Sequence, residues 1–306
     1  MGLLQKHTLV NHPLKLRRKK IMNSKLNEHI VTVSEVVLNQ TLAHHQKEIL
    51  GGVTSNKNSI IIMNRGGSKT FMIAYLALIN AWTHPGIRIG CFASSFRQSK
   101  LIYEQIKKII EASPILQSNI YEKFSSLDNW SITFNKGLNS KSSIIQSFPL
   151  NDGCKLKGKR YDQVYIDEGY TLPEDVFDMV IRPMVMTSQD PFQFMKHTEL
   201  KEYINNCALT RANKDKCLAV AEQDYNEYLT KFPPKKIVIF STAYYDNWLY
   251  TLYNSYYKKD DCFTVTYSYL NMPKGWFDDE YLKNQRSKDE ELFRMEYGSV
   301  WLARTI

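Results

Sequence analysis

The sequence predicts an α/β fold built on a mainly parallel sheet flanked by helices, and three observations carry that prediction. Short apolar runs at Ser59–Met63, Ile87–Ala93, Gln163–Ile166 and Ile237–Phe240 read as buried strands. The first two are each followed by a helical pattern, Lys69–Trp82 and about Gln98–Ala112, and a strand-helix-strand-helix order needs crossovers that make neighbouring strands parallel. Two of the strands run directly into polar clusters, NRGGSKT after Met63 and the adjacent carboxylates Asp167 and Glu168 after Ile166.

Taken in order, residues 1–30 are basic and weakly patterned, with Lys15, Arg17, Arg18, Lys19 and Lys20 grouped together; a solvated arm and a DNA-contacting arm fit equally. A helical pattern runs from Val31 to Leu50 and ends at Gly51-Gly52. Beyond the two strand-helix pairs, Trp130–Phe134 and Ser143–Phe148 form a hairpin pattern around Asn135-Lys136-Gly137. Gln163–Ile166 is a central strand, and a helix starts after it at Pro173. Residues 187–235 are polar and helical in character. Ile237–Phe240 is another central strand, Phe263–Ser268 a further one, and two short helices with acidic starts follow.

Composition narrows the class. A chain of 306 residues with 43% hydrophobic residues can bury a sizeable core. The net charge of +9 is a mild bias toward polyanions. Five scattered cysteines, without a CxxC pair or a Cys/His cluster, fit a reduced intracellular setting without structural disulfides or zinc. No apolar run approaches the ~18 residues that span a bilayer, so no membrane partner is expected.

The two polar clusters carry the chemistry. A strand, a tight loop and a helix N-terminus make an anion site, because loop N–H groups and the helix dipole converge on phosphate. Lys69 would neutralise the phosphates of ATP and Thr70 would place its hydroxyl on Mg²⁺. The strict G-x-x-x-x-G-K-[ST] pattern is broken, since Met63 and Ser68 stand at its glycine positions, while Gly66 and Gly67 lie inside the loop. The alternative is a Gly-Gly turn with a surface lysine. Asp167 would hold Mg²⁺, and Glu168 would orient or deprotonate the attacking water; alone, the pair also fits a polar strand end.

With these motifs in this order, residues 35–300 resemble the ATPase portion of viral large terminases of the tailed-phage kind, motors that drive double-stranded DNA into capsids. The resemblance implies a P-loop NTPase of the ASCE/RecA-like type, divided into a basic arm (1–30), an ATPase core (31–260) and a small C-terminal lid (261–306). It implies that Asn64, Arg65, Gly66, Gly67, Ser68, Lys69 and Thr70 form a deviant phosphate loop carrying an arginine, Arg65, ahead of the glycines. It makes Gln46 the reader of adenine, against the alternative of a solvent-facing helix residue. Arg97 and Gln98 would lie near DNA or nucleotide. Lys157 stands where many relatives carry an arginine finger that acts on a neighbour's ATP; Arg160 is the nearby substitute, and Lys155, Lys157 and Lys159 fit a solvated patch as well. Ser241 and Thr242, followed by Asn247, match the motif that senses the γ-phosphate and relays hydrolysis to the lid; read alone, they suit a turn or cap.

The partners implied are double-stranded DNA, a portal or procapsid, a small terminase subunit and a homo-oligomeric ring, with a monomer as the isolated state. The setting implied is the host cytoplasm, transiently docked on the procapsid. Full-length relatives continue into a ribonuclease-H-like nuclease. Asp278, Asp279 and Glu280 read better as N-terminal charge on a short helix, so no nuclease activity is expected of this chain. Two other functions share parts of the pattern: a helicase-like DNA remodelling ATPase, and a non-enzymatic DNA- or procapsid-binding module with a degenerate nucleotide site.

Overall fold

The computed structural model describes residues 24–125, 130–134, 142–150, 156, 158–186, 191–229 and 233–303. The chain starts with α1 (Ser24–Leu38) and α2 (His44–Ser55), then β1 (Asn58–Met63), α3 (Lys69–Thr83), β2 (Arg88–Ala93), α4 (Phe96–Ala112) and α5 (Pro114–Asn119). Three strands follow, β3 (Ile120–Ser125), β4 (Trp130–Phe134) and β5 (Ile144–Pro149), then β6 (Gln163–Ile166). The next helix, α6, is α-helical over Glu174–Val176 and Arg182–Met186 around a π-helical turn, Phe177–Ile181. It leads to α7 (Pro191–Asn206), α8 (Arg211–Leu229), β7 (Lys236–Ser241), α9 (Trp248–Tyr257), β8 (Cys262–Tyr267), α10 (Asp279–Lys288) and α11 (Glu290–Glu296).

The described strands form one sheet in the order β3-β4-β5-β2-β6-β7-β1-β8. Pairing is parallel from β5 to β8 and antiparallel at β3-β4 and β4-β5. β1, β6 and β7 are buried almost throughout because helices cover both faces. Alternation along the strands divides the core. Ile61, Met63, Val238 and Phe240 face the cluster that contains α1–α5, whereas Ile60, Ile62, Ile237 and Ile239 face α6 and α9.

Several expectations need correction. The helical pattern from Val31 to Leu50 is two helices, separated at Asn39, whose φ of 50° ends α1. Gly51 and Gly52 do not stop α2, which continues to Ser55. A Cβ on Gly52 would come within 2.4 Å of the Phe263 ring, so this glycine lets the helix lie flat on β8. Residues Ser24–Ile30, assigned to the arm, belong to α1; the basic cluster ahead of them lies outside the described residues, as does Asn135-Lys136-Gly137. β3 and α9 carried no expectation. The boundary placed at 261 falls just before β8, which pairs with β1 as the sheet edge. After it, Leu282, Phe293 and Tyr297 form a small separate cluster with Tyr269 and Phe277. Asp278 caps α10 by accepting from the Tyr281 N–H, in keeping with an N-terminal role for this acidic run. Among the described residues, no helix is long and apolar enough to cross a membrane.

Candidate active site

The topology brings the two polar clusters together. β7 lies between β6 and β1, all three parallel, so the segments following them emerge on one edge of the sheet. The loop after β1 is tight. Gly66 has φ +74°, and a Cβ on Gly67 would lie 2.6 Å from Met63 Cγ and 2.9 Å from Asn64 Oδ1. Ser68 adopts the left-handed conformation, φ 71° and ψ 30°, without being glycine. Its hydroxyl accepts from Gln46 Nε2 at 2.8 Å and donates to Gly67 O at 2.5 Å. These bonds offset a backbone strain of about 1–2 kcal/mol. The departures at Met63 and Ser68 therefore leave the loop closed.

Lys69 opens α3, so a 15-residue helix presents its positive end at the loop. The lysine is buried. Its Nζ lies 3.4 Å from the carbonyl oxygens of both Met63 and Asn64 and 3.6 Å from Glu168 Oε1. Thr70 Oγ1 donates to Asp167 Oδ2 at 2.9 Å. Thr242 Oγ1 donates to Glu168 Oε2 at 3.2 Å. Burial, with the neighbouring Glu168 charge, pushes the Asp167 carboxyl up to about 6 against the pull of Lys69 and Thr70. Lys69, Thr70, Asp167, Glu168 and Thr242 are thus joined through direct contacts.

A metal site fits here. Thr70 and Asp167 offer hard oxygen donors side by side, and the raised Asp167 pKa marks a buried carboxylate short of countercharge. Mg²⁺ typically takes one or two such protein groups and completes its shell with water and phosphate oxygens.

The other expected site residues make contacts within the protein or lie apart from this network. Gln46 has both ends of its amide engaged within the protein: Oε1 accepts from the Ala43 N–H at 2.8 Å, and Nε2 binds Ser68. It ties the start of α2 to the loop after β1. Asn64 is buried; its Nδ2 donates to Arg65 O at 2.8 Å. Arg65 Nη1 donates to both carboxylate oxygens of Glu296 in α11, at 3.0 and 3.1 Å. Ser241 is buried, with its hydroxyl on backbone groups of Tyr170 and Thr242. Asn247 caps α9. Ser95 caps α4, and the Gln98 side chain bonds Ser94. Lys155 and Lys157 lie outside the described residues. Arg160 is exposed ahead of β6, on the sheet edge opposite Asp167, and Lys159 sits 4.3 Å over the Phe148 ring.

Three contacts to the loop carried no sequence expectation. Trp276 Nε1 donates to Gly66 O at 3.0 Å, a Gly66 Cβ would lie 3.0 Å from the Phe277 ring, and the Arg65 N–H donates to Glu296 O at 2.6 Å. The 267–297 segment therefore braces the phosphate loop from outside. The only local signal was an aromatic pair before an acidic helix start.

No curated protein matches this chain significantly. Solved structures do. The large terminase ATPase domain of Thermus phage P74-26 superposes with a TM-score of 0.61 at 15% identity, covering 88% of this chain and 97% of that one. The HK97 bacteriophage large terminase gives 0.54 at 17% identity, covering 88% of this chain and 52% of that one. A large terminase from a thermophilic bacteriophage, solved with ATP-γ-S, gives 0.54 at 10% identity, covering 85% and 53%. The chain thus spans about half the length of these last two proteins, and at such identities the likeness establishes the fold, a P-loop ATPase-type α/β sheet. The family described as terminase large subunit, T4-like-virus type, N-terminal, matches residues 64–305, so the chain belongs to the large terminase family.

Proposed function

We propose that this chain is the ATP-hydrolysing motor of viral DNA packaging, translocating double-stranded DNA into a procapsid. The observation that carries the reading is the convergence of Lys69, Thr70, Asp167 and Glu168 from two strands into one contact network. A lysine within a tight loop at a helix N-terminus suits a triphosphate, and a paired carboxylate beside it suits water activation.

In this mechanism loop N–H groups and Lys69 hold the phosphates of ATP. Thr70 and Asp167 would hold Mg²⁺, which when bound would neutralise charge at the phosphate oxygens. Glu168 accepts the proton of the attacking water, and Thr242 holds the carboxylate in place. Lys157 or Arg160 of a neighbouring subunit supplies the cation that completes the site in a ring. DNA is gripped mainly through its phosphates, so binding weakens steeply with salt. A portal and a small terminase subunit are the further partners, and host cytoplasm with transient docking on the procapsid is the setting. The bonds that hold Ser68 in place weigh against a degenerate, non-enzymatic site.

The test is Mg²⁺-dependent ATP turnover. Glu168→Ala should abolish turnover with ATP still bound, whereas Lys69→Ala should lose binding as well. Tight ATP binding by Lys69→Ala, or undiminished turnover by Glu168→Ala, would contradict the assignment.

A further inference from the structure

Glu168 is held in an unusual backbone state, with φ 52° and ψ 51°. A non-glycine residue there stores roughly 1–3 kcal/mol of strain, and the state persists only where surroundings fix it. The fixing groups can be traced. Gly169 is pressed on β7, and a Cβ at this position would lie 2.3 Å from Ile239 Cγ2. The Thr171 hydroxyl donates to Glu168 O at 2.7 Å. The Tyr170 N–H donates to Ser241 Oγ at 3.1 Å, and the Tyr170 ring packs 5.0 Å from that of Tyr244, just past β7.

Ser241 is completely buried, and its one hydroxyl proton goes to Thr242 O at 2.9 Å. A hydroxyl has a single proton to donate. Ser241 could therefore donate to a phosphate oxygen only by giving up that bond. Thr242 differs, because its hydroxyl reaches the Glu168 carboxylate itself. We propose that Ser241 is a positioning residue, which locks the turn carrying Glu168 onto β7, and that it does not read the γ-phosphate. The two adjacent hydroxyls divide the work: Thr242 contacts the catalytic carboxylate, and Ser241 sets the backbone from which that carboxylate projects. The assignment rests on the ATPase reading for its kinetic consequence but not for its structural one.

The test compares Ser241→Ala and Ser241→Thr with the parent chain by turnover, by ATP and ADP affinity, and by amide hydrogen exchange at Tyr170. Loss of one positioning hydrogen bond should lower kcat of Ser241→Ala about tenfold, with KM and the ATP-to-ADP affinity ratio held within about twofold. The Tyr170 amide should exchange faster in Ser241→Ala, and Ser241→Thr, which retains the hydroxyl, should recover both kcat and protection. A collapse of the ATP-to-ADP affinity ratio in Ser241→Ala, with Tyr170 exchange unchanged, would overturn the proposal and make Ser241 a phosphate reader. If the parent chain binds ATP without turning it over, the ATPase reading fails, while exchange and the affinity ratio still decide the role of Ser241.

Discussion

Arg65 and Glu296 form an ion pair, with Nη1 on both carboxylate oxygens, that joins the loop after β1 to the last described helix across 231 positions of sequence. The Arg65 backbone N–H donates to the Glu296 carbonyl as well. The Arg65 side chain and backbone are thus both engaged by the end of α11.

Breaking this pair should loosen the loop far more than the fold. Arg65 is largely exposed, and exposed pairs contribute no more than about 1 kcal/mol. Glu296→Ala should therefore shift the melting temperature only slightly while accelerating amide exchange over residues 65–68. Exchange in the loop that is indistinguishable from the parent chain would show that the backbone bond from Arg65 to residue 296, with Trp276 and Phe277, is enough to brace it.

Asp167 sets a pH dependence. Its folded-state pKa is raised to about 6, with burial the main cause. The native state without nucleotide therefore holds this proton more tightly than the unfolded chain does. The stabilisation from that proton is fully present below the ordinary aspartate value near 4 and is lost as pH rises through about 6. Asp167→Asn removes the buried charge, so at pH 7.5, without nucleotide or Mg²⁺, the variant should be more stable than the parent by about 1–3 kcal/mol. The gain should vanish near pH 4, and turnover should be lost at every pH. Denaturant melts across this range measure it, and equal stability of the two proteins at pH 7.5 would remove the buried-charge account.

Gln46 offers a direct contrast between recognition and architecture. Both ends of its amide bond protein groups, Ala43 on one side and Ser68 on the other. Gln46→Ala should destabilise the chain by about 1–2 kcal/mol through loss of these bonds. It should also weaken nucleotide binding through Ser68, by similar factors for ATP and GTP. A selective loss of the preference for ATP would restore the adenine-reading role.

Gln46 also marks how far the sequence could be read. The clustering of Lys69, Thr70, Asp167 and Glu168 was legible because each lies in a polar cluster that follows an apolar strand, a local pattern with a direct physical meaning. The parallel core was legible from the same short runs. What escaped depends on distant partners. Gly51-Gly52 has the composition of a helix stop, yet Phe263, from a strand much later in the chain, packs where a side chain would be and the helix continues. Trp276 reaches Gly66 across 210 residues, and only an aromatic pair ahead of an acidic helix start marks it locally. The Gln46 bond to Ser68 is equally invisible, since nothing in HHQKEIL tells a base-reading amide from a bracing one.

In the ring proposed above, Arg160 bears on how subunits would cooperate. It precedes β6, whereas Asp167 and Glu168 follow it, and the strand's four residues separate the two sheet edges by about 13 Å. The exposed guanidinium donates to Lys159 O and lies on the edge away from Lys69. A cation so placed cannot complete the site of its own subunit, but an exposed edge is open to the nucleotide face of a neighbour. Arg160→Ala should therefore leave turnover of dilute monomer unchanged. At concentrations where subunits associate, turnover per subunit rises in the parent chain if a neighbour supplies the finger, and the variant should lose that rise. Restoring one cation to a transition state is worth roughly 10³-fold or more, so even partial assembly should make the difference measurable in a concentration series. Equal activation of Arg160→Ala and the parent would exclude Arg160 and leave Lys157 to be tested in the same way.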